Sequence, residues 1–170
     1  MDFASGEQTK PAYHAVNPKG RVPALVTEHG ILTETIAILE YVVRTRMPED
    51  PWAAAKVREV MTYIASTAHV NHAHKMRGHR WADDESSWDD MRRKVPQTMA
   101  DAAAYLNDKV EGPYVMGERA TIADCYLYTL CGWFSGDGVD IDAYPKLANF
   151  QRAFGMRPSV LKARQDGVLA

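Results

Sequence analysis

The residues best placed to do chemistry are Glu34 and Thr35, together with the stretch N-P-K-G-R-V-P-A-L over residues 17–25. Thr33-Glu34-Thr35 stands where a short apolar run gives way to a helical pattern. The first amides of a helix lack internal partners and carry positive partial charge, so they form a ready site for a carboxylate. Thr35 can add its hydroxyl and its own amide to such a site, and Glu34 supplies a negative charge beside it for an ammonium group. A carboxylate acceptor next to an ammonium acceptor is what an amino-acid head group requires. Helix capping alone would also explain this triplet. Val22-Pro23 adds a second element. A proline inside a short strand removes a ladder hydrogen bond. It is tolerated where the peptide is cis and the strand bends, which leaves the Val22 backbone free to pair with an extended ligand as an added strand.

These groups need a small α/β frame. Residues 2–15 carry a weak pattern, a loop with one helical turn, and Asn17-Pro18-Lys19-Gly20 is a turn signal. Strands are expected over Val22–Val26 and Ile31–Thr33, joined through Glu28-His29-Gly30, with Thr33 as the N-cap of a helix from Glu34 to about Arg46. Met47-Pro48-Glu49-Asp50-Pro51 reads as a linker. Beyond it the pattern is helical throughout. Val57, Met61, Ile64 and Ala68 form one apolar stripe; Trp88, Met91, Val95, Met99, Ala102, Leu106 and Val110 form a longer one, with Pro96 inside it as an expected kink. Further helices are expected over residues 121–134, 144–154 and 158–164. In Thr121-Ile122-Ala123-Asp124 the hydroxyl and the carboxylate have the spacing of a capping box, which makes Asp124 a structural residue.

Composition narrows the function classes. The chain has 170 residues, is 46% hydrophobic and carries a net charge of -2, so no basic excess points to nucleic acid or an anionic membrane. No apolar run is long enough to span a bilayer, and the first residues lack a signal-peptide pattern. Cys125 and Cys131 lie on different sides of one helical stretch, which argues against a disulfide and suits a reducing, cytoplasmic location. No H-E-x-x-H order or ligand spacing accompanies His69, His72, His74 and His79, so no metal is expected; these residues read as a polar helix end.

The run N-P-K-G-R-V-P-A-L, then L-T-E-T and A-I-L-E-Y, resembles the glutathione-binding half-domain of the glutathione S-transferase family, and G-E-R-A-T-I-A-D resembles a helix start of its helical domain. The wording N-P-K-G and T-I-A-D-x-Y-L is similar to the bacterial beta-like class. The resemblance implies an α+β fold: an incomplete thioredoxin-like α/β segment, residues 1–47, followed by an all-α helical-bundle domain, residues 52–170. It implies glutathione as co-substrate, with Val22 and Pro23 as the backbone-pairing valine and cis-proline, Glu34 and Thr35 as the acid–hydroxyl pair, and Arg21 within reach of the ligand. It also implies a small electrophile bound on apolar side chains in a cleft between the two parts, and a homodimer.

Family members activate the thiol with a Tyr, Ser or Cys near a first strand. That strand–helix unit needs roughly 30 residues or more, and only residues 1–16 precede the matching stretch. Ser5 and Tyr13 do not align with the catalytic segment, so no catalytic residue is assigned. The expectation is an N-terminus lacking that segment, with Asp2-Phe3-Ala4 as the tail of a strand, and a two-stranded hairpin with one open edge. Two functions follow. One is conjugation of the glutathione thiol to electrophilic small molecules. The other is a non-catalytic transferase-like binding or dimerisation module.

Overall fold

The computed structural model describes Asp2 and residues 5–169. The expected strand tail at Asp2-Phe3-Ala4 falls on Phe3 and Ala4, outside the described residues. The chain divides into two compact units, Met1–Thr45 and Arg46–Ala170.

The first unit is α+β. A 3-10 turn at Glu7–Thr9 leads into the short α1 (Pro11–His14), then β1 (Ala24–Thr27), β2 (Gly30–Thr33) and α2 (Thr35–Val42). The strands pair antiparallel, Ala24 opposite Thr33 and Thr27 opposite Gly30, and form the expected two-stranded hairpin. The turn is tied by Thr27, whose hydroxyl donates to the Gly30 carbonyl (2.9 Å) and accepts from the His29 amide (3.1 Å). The first strand starts two residues later than the expected Val22 because Val22–Pro23 is a cis peptide outside the ladder. The expected helix to Arg46 ends at Val42; Val43 leaves helical geometry and Arg44–Arg46 tightens into a 3-10 turn.

The turn before β1 is fixed by Asn17, which is 1% exposed. Its side-chain oxygen accepts from the Lys19 amide (3.2 Å), its carbonyl from the Gly20 amide (2.9 Å), and its side-chain nitrogen donates to the Arg21 carbonyl. Gly20 has φ 60, and a Cβ there would lie 3.3 Å from the Gln8 carbonyl oxygen and from the His14 ring. Gly20→Ala is therefore expected to cost about 1–2 kcal/mol through left-handed strain and crowding. Hydrogen exchange should report the loss as weakened amide protection in residues 5–45.

The second unit is helical: α3 (Pro51–Tyr63), a π-helical turn (Ile64–Ala68), α4 (His69–Arg77), α5 (Glu85–Lys109), α6 (Ile122–Phe134), α7 (Pro145–Gly155) and α8 (Pro158–Gln165), with an isolated bridge between Tyr114 and Gly117. Asp50 caps α3 by accepting from the Ala53 amide (2.8 Å), and Pro51 sits in the first turn, where no amide is needed. The first apolar stripe is the core side of α3 and the π turn: Val57, Met61, Ile64 and Ala68 are all fully buried. The second runs down α5, where Val95, Met99, Ala102 and Leu106 are buried with Val110 just beyond; α5 continues through Pro96 without a break. Leu127, Leu130 and Phe134 of α6 and Leu147 and Phe150 of α7 complete this core. At the corner between α4 and α5, Gly78 lies against Trp88, where a Cβ would come within 2.8 Å of the indole-bearing carbon.

On the α3–α5 surface, Glu59 pairs with Lys56 and, at 2.9 Å, with Lys109. The Lys56 hydrogen bond, then that of Lys109, lowers its carboxyl from the ordinary 4.5 to about 2. A depressed carboxyl contributes stability that is complete above 4.5 and lost as pH falls towards 2. A carboxyl-resolved NMR titration is expected to show Glu59 still ionised at pH 3.5, where an unpaired glutamate is mostly protonated.

Candidate functional site

Val22 and Pro23 immediately precede β1, and Glu34 and Thr35 immediately follow β2. With Ala24 paired to Thr33, all four lie at the same end of the hairpin. Arg21 enters from the turn. Its carbonyl is held twice, by the Tyr13 hydroxyl (2.8 Å) and by the Asn17 amide nitrogen, which anchors the chain one residue before the cis bond. Tyr13, unassigned from sequence, thus serves as a strut. The Val22 amide and carbonyl make no protein hydrogen bond among the described residues, and the residue is 44% exposed. Arg21 is exposed, and its guanidinium has no partner among the described residues.

Glu34, not Thr33, occupies the N-cap position of α2. Its carbonyl accepts the first helical bond, from the Ile38 amide (3.0 Å), but its side chain makes no capping bond. Its φ of 72 is the sole positive value at a non-glycine residue among those described. Such a conformation costs on the order of 1–3 kcal/mol, and strain of this kind concentrates at ligand clamps. The carboxylate is 73% exposed and pairs with Lys19 through Oε1. Thr33 is the last residue of β2, paired with Ala24 and one position before the N-cap, and its hydroxyl accepts from Lys19 Nζ (2.8 Å). Thr35 is the first residue of α2, and its hydroxyl has no partner among the described residues. One hairpin end therefore presents an open backbone pair, a free hydroxyl at a helix start and a carboxylate.

A second polar cluster lies in the helical unit. His72 of α4 stacks on Trp133 of α6, ring centroids 4.3 Å apart, and its Nδ1 lies 2.6 Å from Asp137 Oδ2. Lys75 contacts the other Asp137 oxygen (3.3 Å) and the Gly136 carbonyl. His69 packs edge-on against Trp133 and hydrogen-bonds the Tyr126 hydroxyl (2.8 Å). His69 and His72 of this polar helix end are half-buried and pack on an aromatic side chain of α6. Asp137 was missed; its side chain is fully buried, and the Asp-Gly step into Gly138, φ 82, marks only the turn that carries it. Among the described residues no group of three His, Cys, Asp or Glu side chains converges as a metal site. Cys125 and Cys131 are free thiols, and burial pushes both to a higher pKa, which keeps them protonated and unreactive. The Thr121–Asp124 capping box forms as expected.

The glutathione S-transferase N-terminal domain model matches residues 1–44 and the C-terminal domain model matches residues 72–165. The chain belongs to the glutathione S-transferase family. A crystal structure of a glutathione transferase homologue from Sulfitobacter, with bound glutathione, is 52% identical, with a TM-score of 0.96 over 99% of this chain and 84% of that one. The structure of a sphingomonad glutathione S-transferase complexed with glutathione is 27% identical, with a TM-score of 0.81 over 100% of this chain and 86% of that one. Among curated relatives, glutathione S-transferase GstA of Escherichia coli O157:H7 is 28% identical over 89% of this chain and 76% of its own length. Maleylacetoacetate isomerase of Pseudomonas aeruginosa is 29% identical over 93% and 77%. The fold is accordingly a thioredoxin-like α/β unit followed by the all-helical transferase domain, and the protein is a glutathione S-transferase-like enzyme. These relatives favour that reading over a non-catalytic module.

Proposed function

We propose that this protein binds glutathione at the open end of the β1–β2 hairpin and directs its thiol to an electrophilic small molecule. The observation that carries this is the convergence there of unpaired Val22 backbone groups, the Glu34 carboxylate and the Thr35 hydroxyl. The γ-glutamyl carboxylate is received by the Thr35 hydroxyl and the first amides of α2, and the ammonium group by Glu34. The cysteinyl backbone pairs with Val22 as an added strand. Arg21 is available to the ligand's remaining carboxylate. Held in this way, the sulfur attacks as thiolate. A carbon–sulfur bond forms, the leaving group departs with its electron pair, and the thiol proton passes to solvent.

The isomerase relatives support a second reading at the same site. There the thiolate adds reversibly to a conjugated double bond, rotation follows, and elimination returns glutathione unchanged. We further infer a homodimer in the cytosol, with residues 1–47 as the glutathione-binding segment and residues 52–170 as the helical domain.

Isothermal titration with glutathione, followed by conjugation of a chlorodinitrobenzene, tests the main reading. Saturable binding and a rate above the buffer blank are expected. Absence of binding at millimolar glutathione would overturn it. Isomerisation of a cis-enone without consumption of glutathione would select the second reading, and light scattering reads the dimer.

A further inference from the structure

Lys19 lies in the Asn17–Gly20 turn, and its backbone position is set by the buried Asn17 side chain. From there its ammonium group spans to the far side of the hairpin, where it donates to Thr33 Oγ1 (2.8 Å) and to Glu34 Oε1 (2.5 Å). Both side chains are substantially exposed, 43% for Lys19 and 73% for Glu34, so the pair adds little to folding stability. Its effect on geometry is larger. Glu34 has no capping bond to orient it, and its backbone is already in a left-handed conformation. Lys19 engages only Oε1, and Oε2 has no hydrogen bond among the described residues.

We propose that Lys19 is a positioning residue: by holding Oε1 it fixes the Glu34 carboxylate so that Oε2 is presented to the ammonium group of the γ-glutamyl ligand. This rests on the reading that Glu34 receives that ammonium. A glutamate has three rotatable side-chain bonds, and a ligand that must immobilise them binds more weakly than one meeting a carboxylate already held. The tether through Thr33 matters for the same reason, since it gives the Lys19 ammonium a second fixed acceptor. The carboxylate has acceptor sites enough for both cations, so Lys19 and the ligand share it and do not compete. The consequence is selectivity for ligands bearing a free α-amino group over those in which it is missing or acylated.

The test compares glutathione with glutaryl-cysteinyl-glycine, which lacks only the α-amino group, by isothermal titration against the unaltered chain, Lys19→Met, Lys19→Arg and Glu34→Gln. Lys19→Met is expected to weaken glutathione binding about threefold to fivefold, the span of an exposed charge-pair coupling. It is expected to leave the des-amino ligand within about twofold and the melting temperature unchanged, while Lys19→Arg restores most of the glutathione affinity. Equal losses on both ligands would mean general attraction of an anion and would overturn the proposal. Tighter glutathione binding by Lys19→Met would make Lys19 a competitor and overturn it as well, and so would unchanged affinity. If the unaltered chain binds both ligands equally and Glu34→Gln has no effect, the placement of the ammonium on Glu34 is itself wrong, an outcome distinct from failure at Lys19 alone.

Discussion

Asp124→Ala is expected to destabilise the helical unit by about 3–5 kcal/mol, because it strands three hydrogen-bond donors in a region that excludes water. Asp124 is fully buried. Its Oδ1 accepts from the Val115 amide (2.8 Å), and its Oδ2 accepts from both the Thr121 amide (2.6 Å) and the Thr121 hydroxyl (2.9 Å). The side chain thus closes the start of α6 and ties it to the segment after α5. At about 2–4 °C per kcal/mol for a chain of this size, the melting temperature should fall by about 10 °C. A loss under about 1 kcal/mol would show that the cap is dispensable.

The same residue predicts a pH effect of definite sign. Burial raises the Asp124 carboxyl above its ordinary 3.8, outweighing the hydrogen bonds from Val115 and Thr121 that favour the ionised form. A raised carboxyl means that the folded state holds its proton more tightly than the unfolded chain. Its contribution to stability is therefore greatest below 3.8 and declines as pH rises from there through the folded value. Asp124→Asn is expected to abolish that slope. It should also cost stability at every pH, since an amide nitrogen facing the Thr121 donors cannot accept from them. Thermal melts from pH 4 to 8 separate the two effects.

Glu34→Gln is expected to raise the glutathione dissociation constant about tenfold, the low end for a charge-assisted hydrogen bond, because the carboxylate is largely solvated. The exchange keeps size and backbone and removes only the charge. Glu34→Gly gives the complementary result. Glycine accepts a φ of 72 without strain, so this variant should gain about 1 kcal/mol of stability while losing ligand affinity. Opposite signs for folding and binding at one position would mark strain retained for recognition. Unchanged glutathione affinity in both variants would remove Glu34 from the site.

Much of the fold could be read from local pattern. The α5 stripe from Val95 to Leu106 and the α3 stripe from Val57 to Ile64 turned out to be core because three- and four-residue spacing maps directly onto one helix face. The Thr121–Asp124 box was equally local. The N-cap at Glu34 was misread because a threonine just before a helix is the better capping residue by type; the β2 ladder runs on through Thr33, paired with Ala24, so the helix starts one residue later. The His72–Asp137 contact joins residues 65 apart, and no spacing rule reaches that far. The π turn was invisible for another reason: its buried residues Ile64 and Ala68 keep the four-residue step of an ordinary helix.

That π turn sets the rotational phase of everything after it. A stretch with i to i+5 bonding holds one residue more than an α-helical turn of the same path. Excising a single residue between Ile64 and Ala68 would let the chain close into continuous α-helix with α4 still in phase, whereas straightening the turn to α-helix with every residue kept would swing α4 by about 100° about its axis. His69 would then leave Tyr126, and His72 would leave both Trp133 and Asp137, although none of those four had been altered.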